Sequence, residues 1–253
     1  SFHEKGVERY VARKADGSTL AHIYNKFTEN PLVPVCITQE FWRETYSGLC
    51  DTLINGYGCS GVYMDQSCNN YLCYNADHGH TVGGGNYWVK SHQRLIERIR
   101  EKTAKQNPVL TGEGSGEDWI AHLDGFLTLE GSRERMRGAK ASDIVPLFNA
   151  VYHGYAICFG NLSGLTYPPY DECWPKEYRS PNTETLLPEK YRMQMRMEQA
   201  RTFVWGSQPM ISNYHPFVRK GRPVEMRYFA ELVAKRKQYK EYLQYGTMMR
   251  APK

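Results

Sequence analysis

From residue 31 onward the chain alternates between short apolar runs and stretches whose apolar residues recur at helical spacing, and this rhythm restricts the fold most. "PLVPVCI" (31–37) reads as a strand, and Thr38 stands where a helix N-cap would. Trp42, Tyr46, Leu49 and Leu53 follow with a period near 3.6, and Gly56 and Gly58 end the helix. "SGVYMDQ" (60–66) is a second strand; Trp88, His92, Leu95 and Ile99 then mark a second helix. "NPVLTGEG", "DGFLTLEG", "YAICFGNLSG" and "SQPMISNYHP" read as further strands. Between them lie a short helix at "GEDWIAHL", a helix at "IVPLFNAVYHG" and a helix through Met193, Met197, Ala200 and Val204. A long Pro- and Tyr-rich loop (165–188) leads into that last helix, and a final helix covers 224–243. Strands separated by helices imply parallel pairing, because a parallel neighbour needs a crossover.

Six strand–helix units fit either a doubly wound sheet or most of an eight-fold barrel. The polar strand ends Asp65, Glu113, Glu130, Asn161 and His215 all fall on the C-terminal side, and the long inserts follow strand ends. Both features match the active-site face of a barrel. The expected fold is therefore α/β, a (β/α)8 TIM-type barrel incomplete in this chain, with about strands 3–8 present. Residues 1–30 are expected to be a lead-in from an upstream unit, 31–245 the barrel portion and 246–253 a tail. The first two barrel units are missing or lie partly in residues 1–30, so the chain is expected to be a piece of a larger protein.

Two carboxylates stand at successive strand ends. Asp65 closes "GVYMDQ", and Glu113 follows "PVLT" directly. Neighbouring parallel strands lie about 4.8 Å apart, so such side chains can approach within about 5–6 Å. That is close to the separation of about 5–5.5 Å used in retaining glycoside hydrolysis, where one carboxylate attacks and the other delivers a proton. "TGEGSGE" (111–117) nearly spells the dinucleotide fingerprint, but Glu117 replaces the third glycine and Glu113 sits inside the loop. Two carboxylates there would repel a pyrophosphate. No nucleotide or other cofactor is expected. Glu117 falls where acids favour a helix start, which lowers its pKa and suits a supporting role better than a general acid.

The insert "CNNYLCYNADHGHTVGGGNYW" (68–88) carries Cys68, Cys73, His78 and His80. Their spacing matches no usual zinc pattern such as C-x-x-C, so no metal is expected. Three consecutive glycines let backbone approach a ligand, while the histidines and aromatics offer hydrogen bonds and a stacking face. Tyr63, Gln66, His78, His80, Trp88, Asn161 and His215 are the expected substrate-binding set around Asp65 and Glu113. His92 is left out as a solvated helix residue.

Composition narrows the class. The chain has 19 Tyr and 5 Trp among 253 residues, a supply of flat amphipathic faces suited to sugars. A net charge of +5 is mild, and its densest basic run, "KRKQYK", fits a solvated helix face, so no nucleic-acid partner is expected. The seven cysteines, at 36, 50, 59, 68, 73, 158 and 173, suggest no disulfide framework. No stretch reaches the length of a membrane span.

The series "GVYMDQ", "HGHTVGGGNYW", "LTGEGSGEDWI" and "DGFLTL" resembles a family of bacterial glycoside-hydrolase-like barrels of largely undefined specificity. These are related in layout to α-amylases and endo-α-N-acetylgalactosaminidases. The resemblance runs from about residue 10 to residue 217. It implies a strand-four Asp nucleophile and a strand-five Glu acid/base, roles that fall by position on Asp65 and Glu113, with Glu117 in a near-equivalent place. It also implies missing upstream strands and often a neighbouring β-sandwich. The expected activity is retaining hydrolysis of an O-glycosidic bond, α-linked, in a poly- or oligosaccharide, with a periplasmic or secreted location. A non-catalytic carbohydrate-binding barrel, or a lyase or isomerase on the same scaffold, is the opposing reading.

Overall fold

The structure is a computed structural model, and it describes residues 6–22, 31–129, 145–161, 163–166 and 185–249. Glu130, Cys173 and most of the Pro- and Tyr-rich loop lie outside these residues. The chain divides into two compact units, one of residues 1–64 and 68–110 and one of residues 65–67 and 111–253.

In the first unit, α1 (Glu40–Asp51) runs into a π-helical turn (Thr52–Gly56). It packs against α2 (Tyr87–Lys102). The buried face of α2 carries Trp88, Ser91, His92, Leu95, Ile96 and Ile99, the i, i+3, i+4, i+7 stripe of a half-buried helix. On its wet side Lys102 meets Glu44 at 2.6 Å, and Arg98 pairs with Glu40. His92 is 3% exposed, which corrects the expectation that it is solvated: it falls on the inward stripe.

Strand β1 (Gly61–Met64) enters a four-stranded sheet ordered β1-β2-β3-β4, with β2 Val109–Glu113, β3 Gly125–Leu127 and β4 Ile157–Phe159. β2, β3 and β4 run parallel, in the register Glu113↔Leu127 and Leu127↔Phe159. A parallel α/β sheet is therefore present, as the alternation implies.

Two expected strands differ. Residues 31–37 make only isolated antiparallel bridges, His22↔Leu32 and Val11↔Val35, so this run is not a parallel unit of the sheet. Pro31 and Pro34 have no N–H to give a central ladder. The run 207–216 is not a full strand, but Gln208 and Ser212 make isolated parallel bridges to Phe159 and Gly164. Thr38 does not cap α1; the N-cap residue is Gln39, whose side chain makes no capping bond.

In the second unit, α3 (Leu147–Tyr152) precedes β4, and α4 (Tyr191–Val204), α5 (Val218–Gly221), α6 (Pro223–Gln238) and α7 (Lys240–Tyr245) follow. Phe126, fully buried on β3, meets Phe148 edge-on at 5.4 Å. Leu165, Met195 and Val218 form a second cluster with Ile211, Phe217, Met226 and Phe229 packed on it. α4 and α6 are also tied electrostatically, since the buried Glu225 accepts from Arg192 at 2.9 Å and from Arg196.

Candidate active site

Glu113 is the last residue of β2, and Gly114 continues the ladder by donating its N–H to the Leu127 carbonyl at 3.2 Å. Gly114 then turns the chain away with φ +80°, a left-handed conformation open to glycine at little steric cost. Asp65 follows the last residue of β1. The two side chains share a hydrogen bond, and Glu113 also accepts the Gln66 backbone N–H at 3.0 Å. Asp65, Gln66 and Glu113 all belong to the second unit.

The two acids are not equivalent. Asp65 is exposed while Glu113 is half-buried. Burial raises the Glu113 pKa above the ordinary carboxylate range. The Asp65 hydrogen bond and charge push the same way, and the Gln66 N–H opposes them. Gln66 holds φ +53°, which is costly for a residue with a Cβ and tends to mark functional segments. The strained residue is the one that aims a donor at Glu113.

Glu117 lies apart from this hydrogen-bonded group in its bonding. It is exposed on a 3-10 turn (Glu117–Trp119), and its carboxylate accepts from the Tyr152 hydroxyl at 2.8 Å, which raises the Tyr152 pKa.

The other expected site residues have diverse surroundings. Tyr63 on β1 is 44% exposed. His215 is half-buried and stacks on Phe217 at 5.5 Å. Asn161 is fully buried; its side-chain oxygen accepts from the Ser163 N–H at 3.0 Å and from the Ser163 hydroxyl. That makes it part of the framework beside β4 rather than a surface that touches a sugar. Trp88 is 6% exposed and sits edge-on to Tyr71 at 5.4 Å, again an interior position.

His78 and His80 belong to the first unit, where they meet Cys36 and Cys73. The four donor atoms all lie within 4.8 Å of one another. Burial pushes the Cys36 thiol up to about 11, against hydrogen bonds from Thr38. Sequence reasoning paired Cys73 with Cys68 and missed Cys36, whose distance along the chain hides it. Its place at the end of an apolar run was the only available signal.

The geometry is that of an α/β domain with paired acids at neighbouring strand ends, an arrangement used by glycosidases. The chain belongs to the family described as Domain of unknown function (DUF6259), which matches residues 1–163. It is 30% identical over 160 residues to a protein of Bacteroides thetaiotaomicron provisionally named a glycoside hydrolase. The match spans 62% of this chain and 22% of that protein. A protein of Monosiga brevicollis with a similar provisional name is 35% identical over 164 residues, covering 64% of this chain and 12% of its own length. The chain thus spans a small part of these relatives.

Among solved structures, the fold is similar to ligand-free alpha-N-acetylgalactosaminidase NagBb from Bifidobacterium bifidum, with a TM-score of 0.52 and 18% identity over 89% of this chain and 31% of that one. It is also similar to a GH31 family sulfoquinovosidase from E. rectale, with a TM-score of 0.53 and 13% identity over 98% of this chain and 36% of that one. At these identities the likeness concerns the fold alone.

Proposed function

We propose that this chain carries the acid pair of a retaining glycoside hydrolase, with Asp65 as nucleophile and Glu113 as general acid/base. The observation that carries the reading is the hydrogen-bonded Asp65–Glu113 pair in which Glu113 has the raised pKa. A general acid has to hold its proton near neutral pH, and a nucleophile has to be ionised.

The sugar enters by parting this contact to the separation of about 5–5.5 Å that a retaining site needs. Asp65 attacks the anomeric carbon while Glu113 protonates the departing glycosidic oxygen. Once Asp65 is esterified its charge is gone, and with it one cause of the raised Glu113 pKa. Glu113 then takes a proton from the water that hydrolyses the intermediate. The Gln66 N–H steadies the ionised Glu113 at that stage.

The provisional glycoside hydrolase names of the relatives support the activity, and the two glycosidase folds support an incomplete (β/α)8 barrel as scaffold. The substrate is an α-linked poly- or oligosaccharide that meets the acid pair and the half-buried His215 of the same unit, and the chain works within a longer protein.

The test measures hydrolysis of a glycan panel and of activated aryl glycosides. Asp65→Asn should abolish both. Glu113→Ala should lose about 10²–10⁴-fold on unactivated substrates, the usual contribution of a general acid. It should still form the glycosyl-enzyme on activated ones, and azide should restore its turnover. Wild-type turnover in both variants would end the proposal. Azide rescue of Glu117→Ala alone would transfer the acid/base role to Glu117.

A further inference from the structure

The insert between β1 and α2 is built inside out. Leu72 is 57% exposed, Val82 49% and Tyr74 38%, while Cys73 is 0% and His78 is 7% exposed. Across residues 68–86 the only buried positions are Cys73, His78 and Gly83. A loop held by the hydrophobic effect would do the opposite, burying Leu and Val and leaving imidazole wet. Its interior is completed by Cys36, also 0% exposed, and by His80.

The donor spacing has a specific geometry. Cys36 Sγ lies 3.4 Å from His80 Nε2, and Cys73 Sγ lies 3.5 Å from His78 Nδ1. Zinc bonds of about 2.0 Å to nitrogen and about 2.3 Å to sulfur, at tetrahedral angles, put such N/S pairs about 3.5 Å apart. The ring atoms that face away are occupied too. His78 Nε2 is 2.9 Å from the Arg9 carbonyl, and His80 Nδ1 is 2.8 Å from the Thr81 carbonyl. A carbonyl only accepts, so a ring proton on each of these nitrogens satisfies it. The Asn75 amide nitrogen lies 3.0 Å from the same His78 nitrogen. His80 Nε2 and His78 Nδ1 thus face the thiols, with a backbone carbonyl behind each ring, the arrangement usual for metal-bound histidines.

The frame is held independently of any ion. His80 stacks on Tyr87 with centroids 3.9 Å apart and planes within 9°. The Tyr87 hydroxyl accepts from the Cys73 N–H at 2.7 Å and donates to the Gly83 carbonyl at 2.9 Å. Cys73 and Gly83 close the loop with an antiparallel bridge. Between the two histidines, Gly79 takes φ +71°, a left-handed turn that places both rings on the same centre.

We propose that Cys36, Cys73, His78 and His80 form a four-ligand site for a structural zinc ion that staples the insert to the segment preceding α1. Two soft sulfurs and two imidazoles select zinc among the common divalent ions, and four protein ligands leave no open position for chemistry. The site takes His78 and His80 out of the substrate-binding set and stands whether or not the Asp65–Glu113 pair is catalytic.

The experiment uses the full chain, reduced, stripped with chelator and titrated with Co(II) and then Zn(II). The expected result is one ion per chain by elemental analysis, with a thiolate-to-cobalt charge-transfer band and the visible spectrum of tetrahedral cobalt. Zinc should displace the cobalt and raise the melting temperature. Cys36→Ser, Cys73→Ser, His78→Gln and His80→Gln should each weaken cobalt binding by more than about 100-fold, beyond the cost of losing an outer-shell partner. Cys68→Ser should bind as the unaltered chain does. Failure of the reduced chain to develop the thiolate–cobalt band would overturn the proposal, whatever the variants do. A Cys36–Cys73 disulfide in the metal-free protein as isolated, or loss of the site in Cys68→Ser with retention in Cys36→Ser, would overturn it as well.

Discussion

Gln66 holds φ +53° while its N–H points at Glu113, so the two exchanges Gln66→Gly and Gln66→Val separate backbone from side chain. Both remove the Gln side chain, and their difference reports the backbone alone. Glycine relieves about 1 kcal/mol of left-handed strain but adds unfolded-state freedom worth about 0.5–1 kcal/mol, leaving a net change within about 0.5 kcal/mol. A β-branched residue at positive φ adds strain in the range of about 1–3 kcal/mol. The two variants should differ by about 2 kcal/mol, or about 4–8 °C in melting temperature for a chain of this size. If valine escapes the strain by leaving the left-handed region, the N–H swings off Glu113 instead. Because that N–H favours the ionised carboxylate, its loss moves the alkaline limb of the kcat/KM profile to higher pH, and glycine leaves the limb in place. The assays are calorimetric melting and pH–rate profiles on an activated aryl glycoside. Equal melting temperatures together with superimposable profiles for the two variants would refute the idea that this backbone conformation serves Glu113.

Phe126→Ala opens the centre of the sheet, where the ring is fully buried against Phe148, and should cost about 3–5 kcal/mol by urea denaturation; a loss under 1 kcal/mol would contradict the packing described. Burial alone would raise the Glu225 pKa, but hydrogen bonds from Arg192 and Arg196 outweigh it and hold the carboxyl below its ordinary value of 4.5. A depressed folded pKa gives stability that is complete above that ordinary value and lost as pH falls through the lower folded one. Urea midpoints should therefore drop below about pH 4.5, and Glu225→Gln should flatten that drop; identical pH slopes would count against the ion-pair account. Tyr152→Phe removes only the hydroxyl that Glu117 accepts, so kcat on unactivated substrates should stay within about threefold, well short of the 10²-fold that marks a general acid.

The parts of this molecule that were legible in sequence rest on short-range regularities. The stripe through Trp88, Leu95 and Ile99 announces α2, and the short apolar runs ending at Asp65 and Glu113 announce strands. The acids could be placed because a strand end is a local event. The run 31–37 misled for a local reason too: its apolar residues look like a strand, while Pro31 and Pro34 withhold the N–H groups that a central strand must donate. The grouping of Cys36 with Cys73 was invisible for a different reason. Nothing in the residues around position 36 encodes a meeting with a loop more than thirty positions away, and Cys68 offers the same chemistry nearer by.

The same loop shows how physical bookkeeping recovers what spacing hides. An insert with exposed Leu72, Tyr74 and Val82 has no apolar core of its own, yet its backbone is closed by the Cys73↔Gly83 bridge and by the Tyr87 hydroxyl. Ordering such a loop costs conformational entropy for each residue fixed, and small buried thiols and imidazoles return little of it through area burial. A zinc ion held by the two thiols and two imidazoles would supply a stronger bond than any of these. The acid pair follows a parallel logic. Glu113 is held by a rigid strand and by the N–H of a strained residue. Both stabilise an orientation, which is what chemistry at a carboxylate demands.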